Sequence, residues 1–430
     1  MKISLFQIIV IGAFVAAAGI GLFVFATYSG SSNNANTAPV VIWGTLPASA
    51  FTATIQQAGK DSVLAVASYV QKQPETFESE YINAAASGNA PDLLVVSSDQ
   101  LLGLWHTLTP ISYDAVPERN FRDTFIDATD VLLGPEGLYG VPLALDPLVL
   151  YYNRPMLASA NIAEAPRTWE EVAALVPKIA SVDSRKEVVR AAVALGGYGN
   201  IVNAKEIIAT LFMQAGVPLE ESSQGGPNAS FFTRTVTGGD VPAEAALRYY
   251  LAFANPAQDT YTWNGTLPSS RASFLGGTLA LYLGFGSEYA SLRQGNPNLS
   301  FDIARMPQPG TATLRSTYGK VYAFVLPKAS KNPAGALTVA LAFTPNETMK
   351  AFADNVGTLA PVRRDLLSAN TSDPIASVVY KDALVARGWL SPNASATDTI
   401  FGAMISNVIS GRTRIIESLT TAERAISAAY

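Results

Sequence analysis

The chain has 430 residues, 49% hydrophobic but only 15% charged, which is too long for one ordinary core and fits two lobes plus a tail. Its net charge of −5 and the lack of any dense basic run make nucleic acid a poor partner, because phosphate-backbone binding needs clustered Lys and Arg. With no cysteine and one histidine, His106, thiol nucleophiles, disulfides, thiolate metal sites and multi-His zinc centres are excluded.

After Lys2 no charged residue appears until Lys60, and Ile8 to Ala26 is an unbroken apolar run. As a helix it spans about 28 Å, close to the hydrocarbon core of a bilayer, and exceeds the roughly 7–15-residue apolar region of a cleaved signal peptide. Residues 1–28 therefore read as a transmembrane signal anchor, with cleavage as the alternative. Lys2 on the inside puts the folded part outside the cytoplasm, as a single-pass protein of the cell membrane. The small polar stretch at 29–38, SGSSNNANTA, reads as a flexible linker.

Pro39 to Gly44 is a short apolar run ending in Gly, the pattern of a buried first strand. A helix is predicted from Ala48 to Gln57, a strand from Ser62 to Tyr69, and a helix from Thr76 to Ala86 closed by Gly88. Leu93 to Ser97 follows as a strand. Strand and helix alternating at this spacing predict a parallel α/β sheet. Ligands of open sheets sit beyond the carboxyl ends of the strands, here Trp43–Leu46 and Ser97–Gln100. Thr168 with Glu170 and Glu171 behind it is an N-cap pattern for a helix over Trp169–Ala180. Further helices are predicted at Ala204–Ala215 and Ala243–Ala254, with loops at Gly196–Asn200 and Ser222–Ser230. Strands are predicted at Ile303–Pro309 and Val321–Leu326, then a helix from Asn332 through Phe343. The tail from Phe401 to Ala429 reads as helical with a break at Ile409–Arg412.

Five segments carry a family resemblance in a fixed order. They are SGNAPDLL at Ser87–Leu94, GLYGVPLALDPLVLYYN from Gly137 with TWEE at Thr168, FLGGTLAL from Phe274, YAFVLPKASKNPAGAL from Tyr322, and the ISGR-containing tail. Together they resemble the bacterial extracellular solute-binding proteins of ABC importers, the maltose-binding-like group. The resemblance implies an α/β fold of two lobes with a hinge and an inter-lobe cleft, preceded here by the N-terminal transmembrane helix. It places lobe one at 39–145 plus 308–360 and lobe two at 146–307 plus 361–430. It also implies a monomer that closes on a small solute, a sugar or oligosaccharide, and delivers it to ABC permease transmembrane subunits. No cofactor and no catalysis are expected.

Sugar recognition combines aromatic faces over C–H patches with carboxylates or amides that grip hydroxyls. Asp146 stands alone in an apolar run, where a charge must be paired or face a cleft. The resemblance gives it a ligand-gripping role, against a structural role capping backbone amides. Asp99, with Ser98 before it, follows the Leu93–Ser97 strand and is either a hydroxyl contact or a helix N-cap. Trp43 and Thr45 end the first strand, Trp43 being a cleft aromatic or a packing residue. Trp263 in the loop Asp259–Thr266 is expected to be exposed unless it lines something. Phe285 and Glu288 follow the Ala280–Leu283 strand, where relatives often carry a stacking Trp that this chain lacks. Tyr318 precedes Gly319 at a cleft-loop position, and Trp389 is a second candidate cover for a ligand. Tyr151 and Tyr152 are assigned to the core, Trp105 and Trp169 to packing. Two other functions remain open on this sequence: a membrane-anchored surface sensor or adhesin with the same fold, and a carbohydrate-active enzyme pairing Asp146 with Glu288 or Asp99.

Overall fold

The computed structural model describes residues 38–430 apart from 186, 224–225, 230–231, 237–238, 313 and 370. The predicted anchor over 1–28, and the linker except for Ala38, lie outside the described residues. Among the described residues no helix is long and apolar enough to cross a membrane. Pro39–Tyr430 forms one compact unit.

Its frame is a ten-stranded sheet. Strands β1 (Val40–Gly44), β2 (Ala67–Gln71) and β3 (Leu93–Ser97) pair in parallel, with β1 between the other two. The predicted α/β alternation is thus present. Helices α1 (Ala48–Ala58) and α2 (Phe77–Ala86) make the crossovers. One early expectation fails. Ser62 starts a 3₁₀ turn over Val63–Val66 by accepting a hydrogen bond from the Leu64 amide, and the strand begins only at Ala67. The partial alternation of SVLAVASYV comes from that turn burying Leu64 alone.

Strand β4 (Val141–Asn153) runs through both halves of the sheet, buried along nearly all its length. Its first half pairs with β8 (Thr317–Val325), which also pairs with β3. From Leu148 onward it pairs with β6 (Leu279–Phe285), which runs parallel to β5 (Val188–Val193). Strand β7 (Phe301–Ala304) covers the end of β4. The partner of β4 therefore changes between Pro147 and Leu148, immediately beyond Asp146. A third passage crosses at the same level: Leu145 and Ala360 exchange backbone hydrogen bonds of 2.9 and 2.8 Å.

Helices cover both halves. Helix α3 (Ser98–Leu104) follows β3, and α4 (Trp169–Ile179) opens on the predicted N-cap, Thr168 Oγ1 accepting from the Glu171 amide at 3.2 Å in a capping box. Helix α5 (Ala204–Gln214) is buried at nine consecutive residues from Ala204 to Phe212. It packs on α6 (Pro242–Ala252), while α7 (Ser270–Leu275) leads into β6. Helices α8 (Pro333–Ala342) and α9 (Asn346–Val356) cover the β1 side, and α10 (Pro374–Ala383) packs on β4. The tail forms α11 (Ala394–Ile409) and α12 (Ile415–Ser427), broken where predicted, with Gly411 at φ +70°. The loop expected at Ser222–Ser230 contains a short hairpin, Glu220–Ser223 with Gly226–Ala229.

Candidate functional site

Where β4 changes partners, three elements bring polar side chains into otherwise apolar surroundings. On β8, Tyr318, Lys320 and Tyr322 alternate onto one face by the two-residue period of a strand. Lys320 stands opposite Asp146 in the β4–β8 register. From α3, Asp99 reaches this face: the Tyr318 hydroxyl donates to its Oδ1 at 2.7 Å, and Lys320 Nζ lies 3.5 Å from its Oδ2. From α5, Lys205 Nζ approaches Asp99 to 3.9 Å and Glu206 to 3.4 Å. Helices α3 and α5, both packed on β8, therefore meet at Asp99.

Electrostatics follow from burial. Asp99 is 8% exposed. Burial penalises its charge, but Lys320 and Lys205 outweigh that and hold its pKa below the ordinary value. Burial likewise disfavours the Lys320 ammonium, yet Asp99 keeps it protonated and shifts its pKa upward. The Lys320 ammonium also lies 4.5 Å from the Phe285 ring centroid, a cation–π distance. Asp146, 2% exposed, behaves differently. Burial pushes it up to about 7, opposed by the hydrogen bond that the Ser287 amide donates to its Oδ1 at 3.0 Å.

The turn after β6 is held from several sides. Tyr151, a core residue as expected, donates its hydroxyl to the Phe285 carbonyl at 2.7 Å, and the Gly286 amide donates to the Pro147 carbonyl at 3.0 Å. Glu288 accepts from the Phe285 amide at 2.9 Å, the Tyr282 hydroxyl at 2.5 Å and Asn203 Nδ2 at 2.8 Å. Asn203, the N-cap residue of α5, has φ +61° and spends its side chain on Glu288, not on the helix.

The structure brings Ser98, Asp99, Asp146, Phe285, Glu288 and Tyr318 into this region. Ser98 Oγ accepts from the Val321 amide at 3.4 Å, so it ties α3 to β8. Asp99 is not an N-cap; Ser97 holds that place, boxed with Gln100. Trp43 and Thr45 are half-buried at the end of β1, and Lys72 Nζ sits 3.8 Å from the centroid of the Trp43 ring. Two expected cleft aromatics lie elsewhere. Trp263 is fully buried, donating its indole N–H to Asn200 Oδ1 at 3.1 Å, because the loop folds onto the Gly196–Asn200 segment. Trp389 is also fully buried, beside Phe401, with its N–H on the Tyr430 hydroxyl at 3.0 Å.

Lys205 and Lys320 carry much of the local charge and escape a reading of sequence alone. One signal was available: α5 is apolar on every face, so its adjacent Lys-Glu pair has no solvent side to occupy.

An α/β protein of two lobes, its chain crossing between them beside buried polar side chains, is the architecture of the solute receptors. Residues 51–378 match the sequence profile of the bacterial extracellular solute-binding proteins, and the chain belongs to that family. A binding protein of Brucella abortus (strain 2308) is 23% identical over 290 residues, a match covering 65% of this chain and 64% of that one, less than two thirds of the relative's own length. Among solved structures, a cyclic α-maltosyl-1,6-maltose binding protein from Arthrobacter globiformis matches with TM-score 0.72 and 15% identity, over 91% of this chain and 98% of that one. A cyclo/maltodextrin-binding protein complexed with maltotetraose matches at 0.71 and 15%, over 91% and 96%. The Thermus thermophilus maltotriose binding protein gives 0.64 and 19%, over 91% and 99%. These likenesses establish the two-lobed fold.

Proposed function

We propose that this chain is the extracytoplasmic solute-binding component of an ABC importer, holding a sugar or oligosaccharide between its lobes by hinge closure. The observation that carries the reading is the meeting of Asp99, in lobe one as assigned below, with Lys205 of lobe two, over Tyr318 and Lys320 of β8. A guest placed there contacts both lobes, so its binding energy favours the closed state. Solved neighbours holding maltotetraose and maltotriose support the sugar class.

The ligand contacts assigned are Ser98, Asp99, Asp146, Phe285 and Tyr318, with Trp43 and Thr45 at the rim of the first strand. Lobe one comprises 39–145 plus 308–360 and lobe two 146–307 plus 361–430. Packing of α11 on α5 and of α12 on α6 supports placing the tail in lobe two. The N-terminal apolar run tethers a monomer to the membrane beside its permease subunits, and no reaction is catalysed.

Calorimetric titration of the full chain with neutral and acidic oligosaccharides tests this. We expect one binding site, recovery of unchanged ligand, and at least tenfold weaker binding by Asp99→Asn. Ligand at 100 times its Kd should add about 2.7 kcal/mol of stability. Binding of peptides or polyamines alone would overturn the sugar assignment, and hydrolysis of the oligosaccharide would overturn the non-enzymatic one.

A further inference from the structure

One contact between the lobes involves none of the residues assigned to the guest. The 3₁₀ turn Asp127–Leu132 belongs to lobe one, where the Tyr139 amide donates to the Leu132 carbonyl at 2.8 Å. Facing it is the short strand Ala386–Arg387, followed by residues fixed in lobe two: Trp389 lies beside Phe401, and the Leu390 amide donates to Glu220 at 3.0 Å. Arg387 Nη2 stands 3.0 Å from Asp127 Oδ2, and Arg364 donates to the other oxygen of that carboxylate. Next to the pair the two segments touch closely. A Cβ on Gly388 would lie 2.6 Å from the Ala128 carbonyl oxygen and 2.8 Å from Val131 Cγ1, so a residue without a side chain is needed there. Beside the contact the walls part around a groove of about 710 Å³, with Asp130 and Val131 on one side and Met213, Val217 and Leu219 on the other.

This contact is tied to the site through one strand. Ala386–Arg387 pairs in parallel with β8, placing Arg387 in register with Tyr318, whose hydroxyl donates to Asp99. The arrangement that joins Arg387 to Asp127 is also the one in which Lys205 comes within 3.9 Å of Asp99. The side chains of Arg387 and Asp127 are 44% and 45% exposed, so water screens the pair and it adds little to overall stability. Its weight falls on the balance between lobe arrangements, where a small energy moves a population. We propose that the Asp127–Arg387 pair, seated on the Gly388 contact, is a latch that favours the arrangement in which Asp99 and Lys205 meet. Arg387 is then a positioning residue for binding, although it touches no guest. The effect on affinity rests on the cleft reading above; the effect on the lobes does not.

The chain has no cysteine, so Ile82→Cys in lobe one and Val189→Cys in lobe two, on side chains 52% and 58% exposed, accept a pair of dyes on the full chain. Energy transfer then reads the lobe separation without ligand. We expect Arg387→Gln and Asp127→Asn each to lengthen it, the double variant to go no further than Asp127→Asn alone, and Arg387→Lys to restore part of the wild-type distance. Gly388→Ala should lengthen it too, by wedging the same contact apart. Maltotriose should bind Arg387→Gln about two- to fivefold more weakly, the range expected for a half-exposed ion pair, and bring back the wild-type separation at saturation. Circular dichroism verifies folding; if Gly388→Ala does not fold, the two charge variants decide the matter. Separations unchanged or shortened in both charge variants overturn the latch, and so do shifts that simply add in the double variant, because the two residues then act apart. Failure of wild type to bind maltotriose counts against the sugar reading, while the ligand-free separations still decide for or against the latch.

Discussion

Burial of Asp146 beside the Ser287 amide raises its pKa from the ordinary 3.8 to about 7. The folded protein thus keeps a proton that the unfolded chain gives up near pH 4. This group favours folding below pH 4, and that contribution is lost as pH rises to about 7. An asparagine there keeps an oxygen for the Ser287 amide and removes the charge. Asp146→Asn should therefore match wild type at pH 4 and become more stable by pH 7 to 8, by on the order of a few kcal/mol. Asp382, at about 6, and Glu220, at about 8, are raised by burial in the same sense, but they occur in both proteins and cancel in the difference. Urea denaturation from pH 4 to 8 measures it, and a difference that stays flat would refute the linkage. The same variant should bind ligand less well, since a carboxylate held at the hinge against its own stability points to use in recognition.

Glu288 shows how an element is fastened and how far the sequence discloses it. Its carboxylate joins the end of β6 to the start of α5 through the Phe285 amide, the Tyr282 hydroxyl and Asn203. Glu288→Ala leaves those donors without an acceptor, and we expect a loss of about 2–3 kcal/mol on thermal or chemical unfolding. Glu288→Gln should recover part of it; an unchanged midpoint in Glu288→Ala would show that the turn holds without the carboxylate. From sequence, Glu288 reads as a ligand contact because it follows a strand; only its three donors, one of them distant in the chain at Asn203, disclose the fastening role. Asp146, a lone charge in an apolar run, was legible because burial forces such a group to find partners, and Asp99 was legible by its place after a strand. Capping was legible at Thr168 because its box is local. Trp263 and Trp389 were not, since what covers a loop aromatic comes from elsewhere, here Asn200 and the chain's last residue. Lys205 and Lys320 look like ordinary helix and strand lysines until the topology brings them to one carboxylate.

At the scale of the whole molecule, two lobes share one apolar interior. The buried cluster extends without a break from Val40 and Phe51 on the β1 side, through Leu143–Leu150 of the crossing strand, to Phe212 and Phe401 under the tail helices. Two stretches of chain bind the halves: β4, which pairs with β8 in its first half and with β6 in its second, and the segment paired at Leu145 and Ala360. The 3.9 Å contact of Lys205 with Asp99 is not a hydrogen bond, so it holds the halves less firmly than those backbone pairings do. Lobes coupled through a common core should also unfold together, although a chain of this length often divides into separately melting parts. Scanning calorimetry of the full chain should show one cooperative transition for the folded part, with van't Hoff and calorimetric enthalpies in agreement. A saturating saccharide should shift that transition as a unit, as expected when the guest binds only the native state. Two resolved peaks, with ligand moving only one, would mean that the lobes are energetically independent and that the crossing strands serve as a tether.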